Sequence, residues 1–276
     1  MRKLIVIRDY YYTGTSRKSF LGSAFNRNFW DGIDKSPFFE KIEILAKYKN
    51  RFRAIAVDSG GDCDPFWNNG WLPPMDAASL YGFLAERNPR WFVECGSGNT
   101  TKFAARAIRD NGLRTKIISI DPQPRAEVDA LCDEVFRVPF EEMDLAFFYE
   151  LTNEDVFLID NSHRSFPGSN VTVFFTEVLP ILPSGILYAL HDIFLPYDYP
   201  EEWDKQHRLY NEQYLLQTYL QGGANGDAVF FPCQFIANDR ELRGFIDTKF
   251  NVPEEKLPCT IGGGSLFWMK KGSSLQ

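Results

Sequence analysis

The chain has 276 residues, of which 44% are hydrophobic and 16% aromatic, and its formal net charge is −7 at pH 7. This length is typical of one large domain, or of one domain with an extension, and the apolar side chains suffice for a sizeable core. A negative charge without a long run of Lys or Arg argues against nucleic acid as the main partner, because phosphate binding requires a basic surface.

Cysteine usage and hydropathy together indicate a reducing, aqueous compartment. The five cysteines are widely spaced and include no CxxC pair, so neither a zinc knuckle nor a disulfide framework is expected. The first residues contain only four consecutive apolar side chains before Arg8, which is too few for a secretory signal. No apolar run reaches membrane-spanning length. The sequence therefore predicts a cytoplasmic protein without a membrane partner.

The first 67 residues are interpreted as an N-terminal extension or cap, followed by a main domain at 68–276. The elements predicted up to residue 90 are a strand at 3–7, a helix at 37–48, a strand at 53–57, a loop rich in Gly, Pro and Asn at 59–76, and a helix at 77–87.

From residue 91 onward, apolar strands alternate with helical segments. The predicted strands are 91–94, 116–121, 134–138, 155–160, 185–190, 228–236 and 265–269. The predicted helices are 100–110, 125–132, 143–151, 169–181, 211–220 and 239–247. Near-continuous apolar strands separated by helices imply an α/β, Rossmann-like fold, with a mostly parallel sheet covered by helices on both faces. Ligands of such sheets bind at the carboxyl ends of the strands.

The first of these strands ends in a glycine loop with the sequence ECGSGNTT, residues 94–101. A strand followed by GxG and a helix can bind NAD, but that fingerprint requires a third Gly or Ala where this chain has Thr101. A P-loop is excluded, because no Gly-Lys-Ser/Thr follows. Glu94 disfavours a pyrophosphate and favours a ligand with cationic or hydrogen-bond-donating groups. S-adenosylmethionine offers an ammonium, a sulfonium and ribose hydroxyls.

Asp121 ends the next predicted strand. A carboxylate at this point can accept hydrogen bonds from both ribose hydroxyls, but NAD enzymes use the same arrangement, so Asp121 alone does not distinguish the two ligands. In combination with the E-x-G-x-G loop, it favours the methyl donor. The alternative is purely structural, with glycines that close a turn and a carboxylate that caps the following segment.

Four segments in the same order, VECGSGNTTKF, IISIDPQP, DVFLIDNSH and SGILYALHDIFLPYDYP, resemble the class I S-adenosylmethionine-dependent methyltransferases. Within that class they are most similar to the small-molecule branch of macrocin-type and catechol-type O-methyltransferases. The resemblance spans roughly residues 68–270. It implies a seven-stranded sheet with an antiparallel last strand, and Pro139 and Phe140 near the adenine. The donor-binding residues expected from it are Glu94, Gly96, Ser97, Gly98, Asp121 and Asp160.

Two of the three histidines lie at ends of predicted strands. His163 follows Asp160 in LIDNSH, and His191 precedes Asp192 in LHDI. Because the carboxyl ends of parallel strands face one crevice, these four side chains are expected to converge. Either histidine could take the proton from an acceptor hydroxyl, since the pKa of histidine lies near working pH. The predicted catalytic residues are His163, His191 and Asp192.

The same cluster raises the question of a divalent metal. In catechol-type enzymes the metal ligands occupy the positions that match Asp160, His191 and Asp192. The histidine in the middle position argues against magnesium, which prefers oxygen ligands, and leaves manganese, iron, zinc or no metal. The alternative is structural, with strand-end carboxylates that cap helices and a histidine that only satisfies its neighbours.

Two loops rich in proline and aromatic residues, 68–76 and 194–203, flank the predicted crevice. They are predicted to form the acceptor pocket, because methyl transfer depends on in-line positioning and on exclusion of water. The proposed lining or lid residues are Trp71, Tyr197, Tyr199 and Trp203. The alternative is that these aromatic side chains only pack the loops against the surface.

The sequence thus predicts an enzyme that moves a methyl group from S-adenosylmethionine to a small-molecule acceptor, with an oxygen acceptor favoured and nitrogen left open. Two other classes remain. An NAD-dependent oxidoreductase is disfavoured by Thr101 and Glu94. A non-catalytic donor-binding module is disfavoured by the acids and histidines at the crevice. A homodimer is compatible with the sequence.

Overall fold

The computed structural model describes residues 24–124, 128–251 and 260–273, and a seven-stranded sheet lies at its centre. The strands are β1 (Trp91–Cys95), β2 (Lys116–Ile120), β3 (Glu134–Phe136), β4 (Val156–Ile159), β5 (Leu187–Leu190), β6 (Ala228–Pro232) and β7 (Phe267–Lys270). Their order is β3-β2-β1-β4-β5-β7-β6. β1 to β5 run parallel, whereas β7 lies antiparallel between β5 and β6. The predicted mostly parallel sheet with an antiparallel last strand is confirmed.

The central strands are apolar along their whole length because both of their faces are covered. All four side chains of β4 and all four of β5 are buried. Since successive side chains of a strand point to opposite faces, a strand buried at every position must be packed on both sides. This is the reason why the sequence shows apolar runs here rather than alternation.

Helices precede the sheet and connect its strands. The first four are α1 (Ala24–Trp30), α2 (Ser36–Ala46), α3 (Lys49–Arg53) and α4 (Pro74–Arg87). The others are α5 (Asn99–Asn111), α6 (Leu145–Tyr149), α7 (Asn170–Val173), α8 (Leu179–Ile181), α9 (Glu201–Lys205), α10 (Glu212–Gln221), α11 (Cys233–Asn238) and α12 (Arg240–Phe250). A π-helical turn at Phe174–Val178 joins α7 to α8. None of the described helices is long and apolar enough to cross a membrane.

Most of the predicted elements are present, but two predicted strands differ. The strand predicted at 53–57 is wrong, because α3 runs to Arg53 and a single bridge then pairs Ala56 with Phe66. The strand predicted at 228–236 ends at Pro232, which has no backbone N–H to donate, and α11 follows at once. The strand predicted at 3–7 and residues 125–127 of a predicted helix lie outside the described residues.

The described part of the predicted extension packs into the same core as the sheet. The Trp30 indole lies with its centroid 5.0 Å from the Phe235 ring and 6.1 Å from the Phe267 ring of β7. Phe52 of α3 is fully buried and packs edge-to-face against Tyr81 of α4. Residues 24–67 therefore contribute apolar side chains to one continuous core.

Asp155 anchors the start of β4 to the start of β1. Its buried carboxylate accepts hydrogen bonds from the Arg90 guanidinium at 2.8 and 3.1 Å, from the Trp91 amide at 3.0 Å and from the Thr152 amide at 2.7 Å. Substitution Asp155→Ala is expected to lower the free energy of unfolding by about 3 kcal/mol, because it leaves these donors without their acceptor. Urea denaturation measures the change.

Glu154→Ala is the matched control for Asp155→Ala. Glu154 pairs with Arg114 through side chains that are 57% and 61% exposed, so its removal is expected to cost less than about 1 kcal/mol. Equal losses of stability in the two variants would contradict the anchoring role of Asp155.

Candidate active site

A cleft of about 640 Å³ opens at the carboxyl ends of the parallel strands. Its lining comes from the segments after all five parallel strands and from two aromatic loops: residues 95–97, 120–123, 139–141, 160–163, 191–192, 70–71, 203, 208 and 210, together with Asn170. In open α/β sheets this edge is the usual position of the ligand site.

Gly96 brings two sides of the cleft together. Its φ of +85° lies in the left-handed region, and a Cβ at this position would collide with the carbonyl oxygen of Asp160. Only glycine meets both conditions. The close approach is fixed by the Asp160 amide, which donates to the Cys95 carbonyl at 2.8 Å. The glycine loop after β1 is therefore in direct contact with the strand end that carries Asp160.

Glu94 lies behind the glycine loop rather than in the cleft. Its side chain is fully buried and accepts a hydrogen bond from Thr100 Oγ1 at 2.7 Å and a short one from Thr101 Oγ1. Burial raises the pKa of the Glu94 carboxyl to about 8. The sequence predicts that Glu94 faces a cationic ligand, whereas the structure shows it holding the first turn of α5. Thr101, the residue that departs from the NAD fingerprint, is one of its two partners.

Asp121 connects the loops after β1 and β2. Its Oδ2 accepts hydrogen bonds from the Ser97 amide at 2.8 Å and from Ser97 Oγ at 3.1 Å, and its Oδ1 accepts from the Gln123 amide at 2.8 Å. Asp121 and Ser97 both line the cleft, whereas Gly98 does not. The Asp121 carboxylate is thus fixed in orientation at the position where the sequence predicts a ribose contact.

The four residues predicted to converge do lie together at the ends of β4 and β5. His163 Nε2 is 3.3 Å from Asp160 Oδ1 and 3.5 Å from Asp192 Oδ2. His191 Nδ1 is 3.4 Å from Asp160 Oδ1 and 3.4 Å from Asp192 Oδ1. All four residues line the cleft. We call Asp160, His163, His191 and Asp192 the strand-end cluster.

Two further carboxylates, which the sequence analysis missed, hold the outer nitrogens of the histidines. Glu212 is fully buried, and its Oε2 lies 2.9 Å from His163 Nδ1. Asp76 is also fully buried, and its Oδ2 lies 3.4 Å from His191 Nε2. Both acids stand in the first turn of a helix, α10 and α4 respectively, where an acid is common because it interacts favourably with the helix dipole. Because acids are common at helix starts, the sequence gives no sign that these two contact the histidines.

The surrounding carboxylates raise the pKa of both histidines of the cluster. Burial alone would lower the pKa of His163, but the hydrogen bonds with Asp160 and Glu212 outweigh it and raise the pKa to about 9. For His191 burial is likewise outweighed, by the charges of Asp160 and Asp192, and the pKa lies well above its ordinary value. Burial would raise the pKa of Asp160, but the two histidines hold it well below its usual range.

The residues present do not fit the divalent metal that the resemblance raised. Among residues 24–124, 128–251 and 260–273, no three side chains of His, Cys, Asp or Glu are arranged to hold a metal ion. The nitrogens of His191 face carboxylates on both sides, Asp76 at Nε2 and Asp160 at Nδ1.

The aromatic loops place only some of the predicted acceptor residues at the cleft. Trp71, whose exposed fraction is 64%, and Trp203 line it, and so does Tyr210, which was not predicted. Tyr199 is buried and stacks behind Trp203 with ring centroids 5.9 Å apart. Tyr197 is not among the lining residues. Neither tyrosine lines the cleft, where the sequence predicts that both contact the acceptor.

The strand order is that of the predicted Rossmann-like sheet, and the glycine loop after β1 and the Asp121 carboxylate after β2 lie at its carboxyl edge. A family model described as a methyltransferase domain matches residues 93–193, which run from β1 to just past β5. This match covers less than half of the chain and includes the glycine loop and the strand-end cluster.

Comparisons with solved structures find distant likenesses. The S-adenosylhomocysteine-bound methyltransferase PaMTH1 from Podospora anserina is 13% identical, with 91% of this chain and 98% of that chain covered and a TM-score of 0.44. The O-methyltransferase TomG from Streptomyces achromogenes is 13% identical, with coverages of 85% and 90% and a TM-score of 0.39. The mycinamycin-pathway methyltransferase MycE is 16% identical, with coverages of 83% and 54% and a TM-score of 0.42.

At these identities and TM-scores, the likenesses do not assign an acceptor to this chain. A search among curated proteins finds no significant match.

Proposed function

We propose that this protein transfers a methyl group from S-adenosylmethionine to a hydroxyl of a small-molecule acceptor. The observation that carries the proposal is that the donor site and a histidine–carboxylate cluster share one cleft and meet at a single point, where the backbone of Gly96 contacts Asp160. The net charge of −7 favours a small molecule over a nucleic acid as the acceptor.

The donor half of the cleft has the chemistry that S-adenosylmethionine requires. S-adenosylmethionine supplies an electrophilic methyl group carried on a sulfonium. Asp121 would accept hydrogen bonds from its ribose, the loop at Gly96 and Ser97 would face its methionine part, and Pro139 and Phe140 would lie along its adenine. Acidic side chains that line the cleft favour a positively charged ligand.

The acceptor half of the cleft provides a route for the proton. A hydroxyl must lose its proton as its oxygen is methylated, and a side chain within hydrogen-bond reach can accept that proton. His163 lines the cleft, its Nε2 lies 3.3 Å from Asp160 and 3.5 Å from Asp192, and its Nδ1 is held at 2.9 Å by Glu212. We assign the proton to Nε2 of the neutral form of His163, with Glu212 stabilising the imidazolium that results.

Transfer of a labelled methyl group tests the proposed function. The protein is incubated with methyl-labelled S-adenosylmethionine and a panel of phenols, catechols, sugars and primary amines, and the products are analysed by mass spectrometry. The expected result is a label on the oxygen of one or more hydroxyl acceptors. Label found on nitrogen alone would contradict the hydroxyl acceptor. Donor binding with no transfer to any member would favour a non-catalytic donor-binding module.

A further inference from the structure

The charges along the cleft are divided between its floor and its aromatic end. Four carboxylates line the cleft, Asp121, Glu141, Asp160 and Asp192. Among the described residues that line it, Arg208 is the only Lys or Arg. Arg208 lies in the segment between α9 and α10, which also contributes Tyr210 to the lining, while Trp203 is contributed by α9. The cleft therefore has four carboxylates, of which Asp160 and Asp192 lie beside the two histidines, and one arginine near its aromatic side chains.

The position of Arg208 is fixed by several contacts of its own segment. Its amide donates to the Trp203 carbonyl at 3.0 Å, and its carbonyl accepts from Arg164 Nε at 2.8 Å. The guanidinium carbon lies 4.4 Å from the centroid of the Trp203 ring, and Nε donates to Gln206 Oε1 at 2.9 Å. These contacts hold the guanidinium over the Trp203 indole.

The terminal nitrogens of Arg208 have no carboxylate partner in the part of the chain that the structure describes. A guanidinium that stacks on an aromatic ring presents these nitrogens as a planar fork, which matches the two oxygens of a carboxylate or phosphate group. Because four carboxylates line the cleft against two histidines, a further cation in the same cleft favours binding of an anionic ligand.

We propose that the acceptor carries an anionic group, a carboxylate or a phosphate ester, and that Arg208 binds this group in the cleft. The proposal rests on the proposed function and names its substrate class. The acceptor lies between Arg208 and the strand-end cluster, with its anionic group beside Trp203 and its hydroxyl toward His163 Nε2. The two charged ends of the cleft thereby orient the acceptor for transfer.

Pairs of probes, each made of an anion and a related neutral compound, test this assignment. The protein is first saturated with S-adenosylhomocysteine, whose own affinity is measured by calorimetry. It is then titrated with 3,4-dihydroxybenzoate and 3,4-dihydroxybenzamide, with 3,4-dihydroxycinnamate and its amide, and with phenyl phosphate and phenol. The anion is expected to bind at least about tenfold more tightly than its neutral partner in one or more pairs. The pair that shows the preference distinguishes a carboxylate from a phosphate ester.

Variants then assign the preference to Arg208. Arg208→Gln is expected to abolish the preference for the anion, and Arg208→Lys to retain a smaller one, because lysine keeps the charge but not the planar fork. Arg114→Gln is the matched control, since Arg114 is exposed and pairs with Glu154 away from the cleft. It is expected to leave both ligands unaffected.

Two results would overturn the assignment. One is that no anion binds better than its neutral partner in any pair; the other is that the preference survives in Arg208→Gln. If S-adenosylhomocysteine binds in either case, only the acceptor class is overturned. If S-adenosylhomocysteine itself fails to bind, the proposed function fails.

Discussion

Replacement of His163 by Ala is expected to lower the rate of methyl transfer at saturating donor and acceptor by about 10²- to 10⁴-fold, the usual contribution of a positioned general base. In His163 one ring nitrogen is held by a buried carboxylate and the other is proposed to accept the proton. Nδ1 is hydrogen-bonded to the buried Glu212, and Nε2 faces Asp160 and Asp192 at the cleft. The affinity for S-adenosylhomocysteine is expected to change little.

The raised pKa of His163 also predicts how the rate of methyl transfer changes with pH. With a pKa raised to about 9, His163 is protonated at neutral pH, and only its neutral form can accept a proton. The rate is therefore expected to rise with pH, about tenfold per unit, and to level off near pH 9. The groups that face His163 and set this pKa are Asp160, Asp192 and Glu212, with Tyr210 packed against its ring at 4.7 Å.

Glu212→Gln separates a positioning role from a merely structural one. The amide keeps the size of the side chain but removes its charge, so the pKa of His163 is expected to fall and the rate to level off at a lower pH. His207→Asn is the control, because His207 is exposed, is not among the cleft residues and has a positive φ that Asn tolerates. The protein has only three histidines, so imidazole NMR resolves the shift directly.

A rate that is flat between pH 6 and 9, or a profile unchanged in Glu212→Gln, would contradict the assignment of the proton to His163. Asp192, which lines the cleft 3.5 Å from His163 Nε2, would then be the better candidate for the proton acceptor.

Asp121→Ala is expected to weaken binding of S-adenosylhomocysteine by about 100-fold, because two hydrogen bonds from ribose to a charged acceptor are lost. The substitution is also expected to lower donor affinity by a second route, through the conformation of the free protein. Asp121 Oδ2 holds the amide and the hydroxyl of Ser97, so its removal also frees the glycine loop that faces the donor. Calorimetry measures the change in affinity.

Asp64→Ala is the control for Asp121→Ala. Asp64 forms an exposed pair with Arg109 and is not among the cleft residues, so its removal is expected to leave donor affinity unchanged. If Asp121→Ala binds S-adenosylhomocysteine as tightly as the unaltered protein does, the assignment of Asp121 to the ribose is wrong.

The features that the sequence predicts well are those with a local signal. The central strands appear as apolar runs because both faces are covered, and the strand-end cluster follows from the rule that parallel strands end at one edge. Gly96 is also recognisable, since a glycine between a strand and a helix indicates a turn that other residues cannot adopt.

The features that the sequence does not reveal depend on contacts between distant segments. Glu212 and Asp76 look like ordinary acids at helix starts, and only the fold brings them to the histidines. The burial of Glu94 follows from Thr100 and Thr101 folding back over it, which no spacing rule encodes. The orientation of Tyr199 depends on how an aromatic loop packs on itself.

The central claim is that the cleft beside Gly96 binds a sulfonium compound that carries an adenosine, and it is tested most directly by calorimetry of the unaltered protein. Titration with S-adenosylhomocysteine is expected to give saturable, one-to-one binding, and titration with NAD is expected to give none. Saturable binding of NAD together with no heat from S-adenosylhomocysteine would contradict the account.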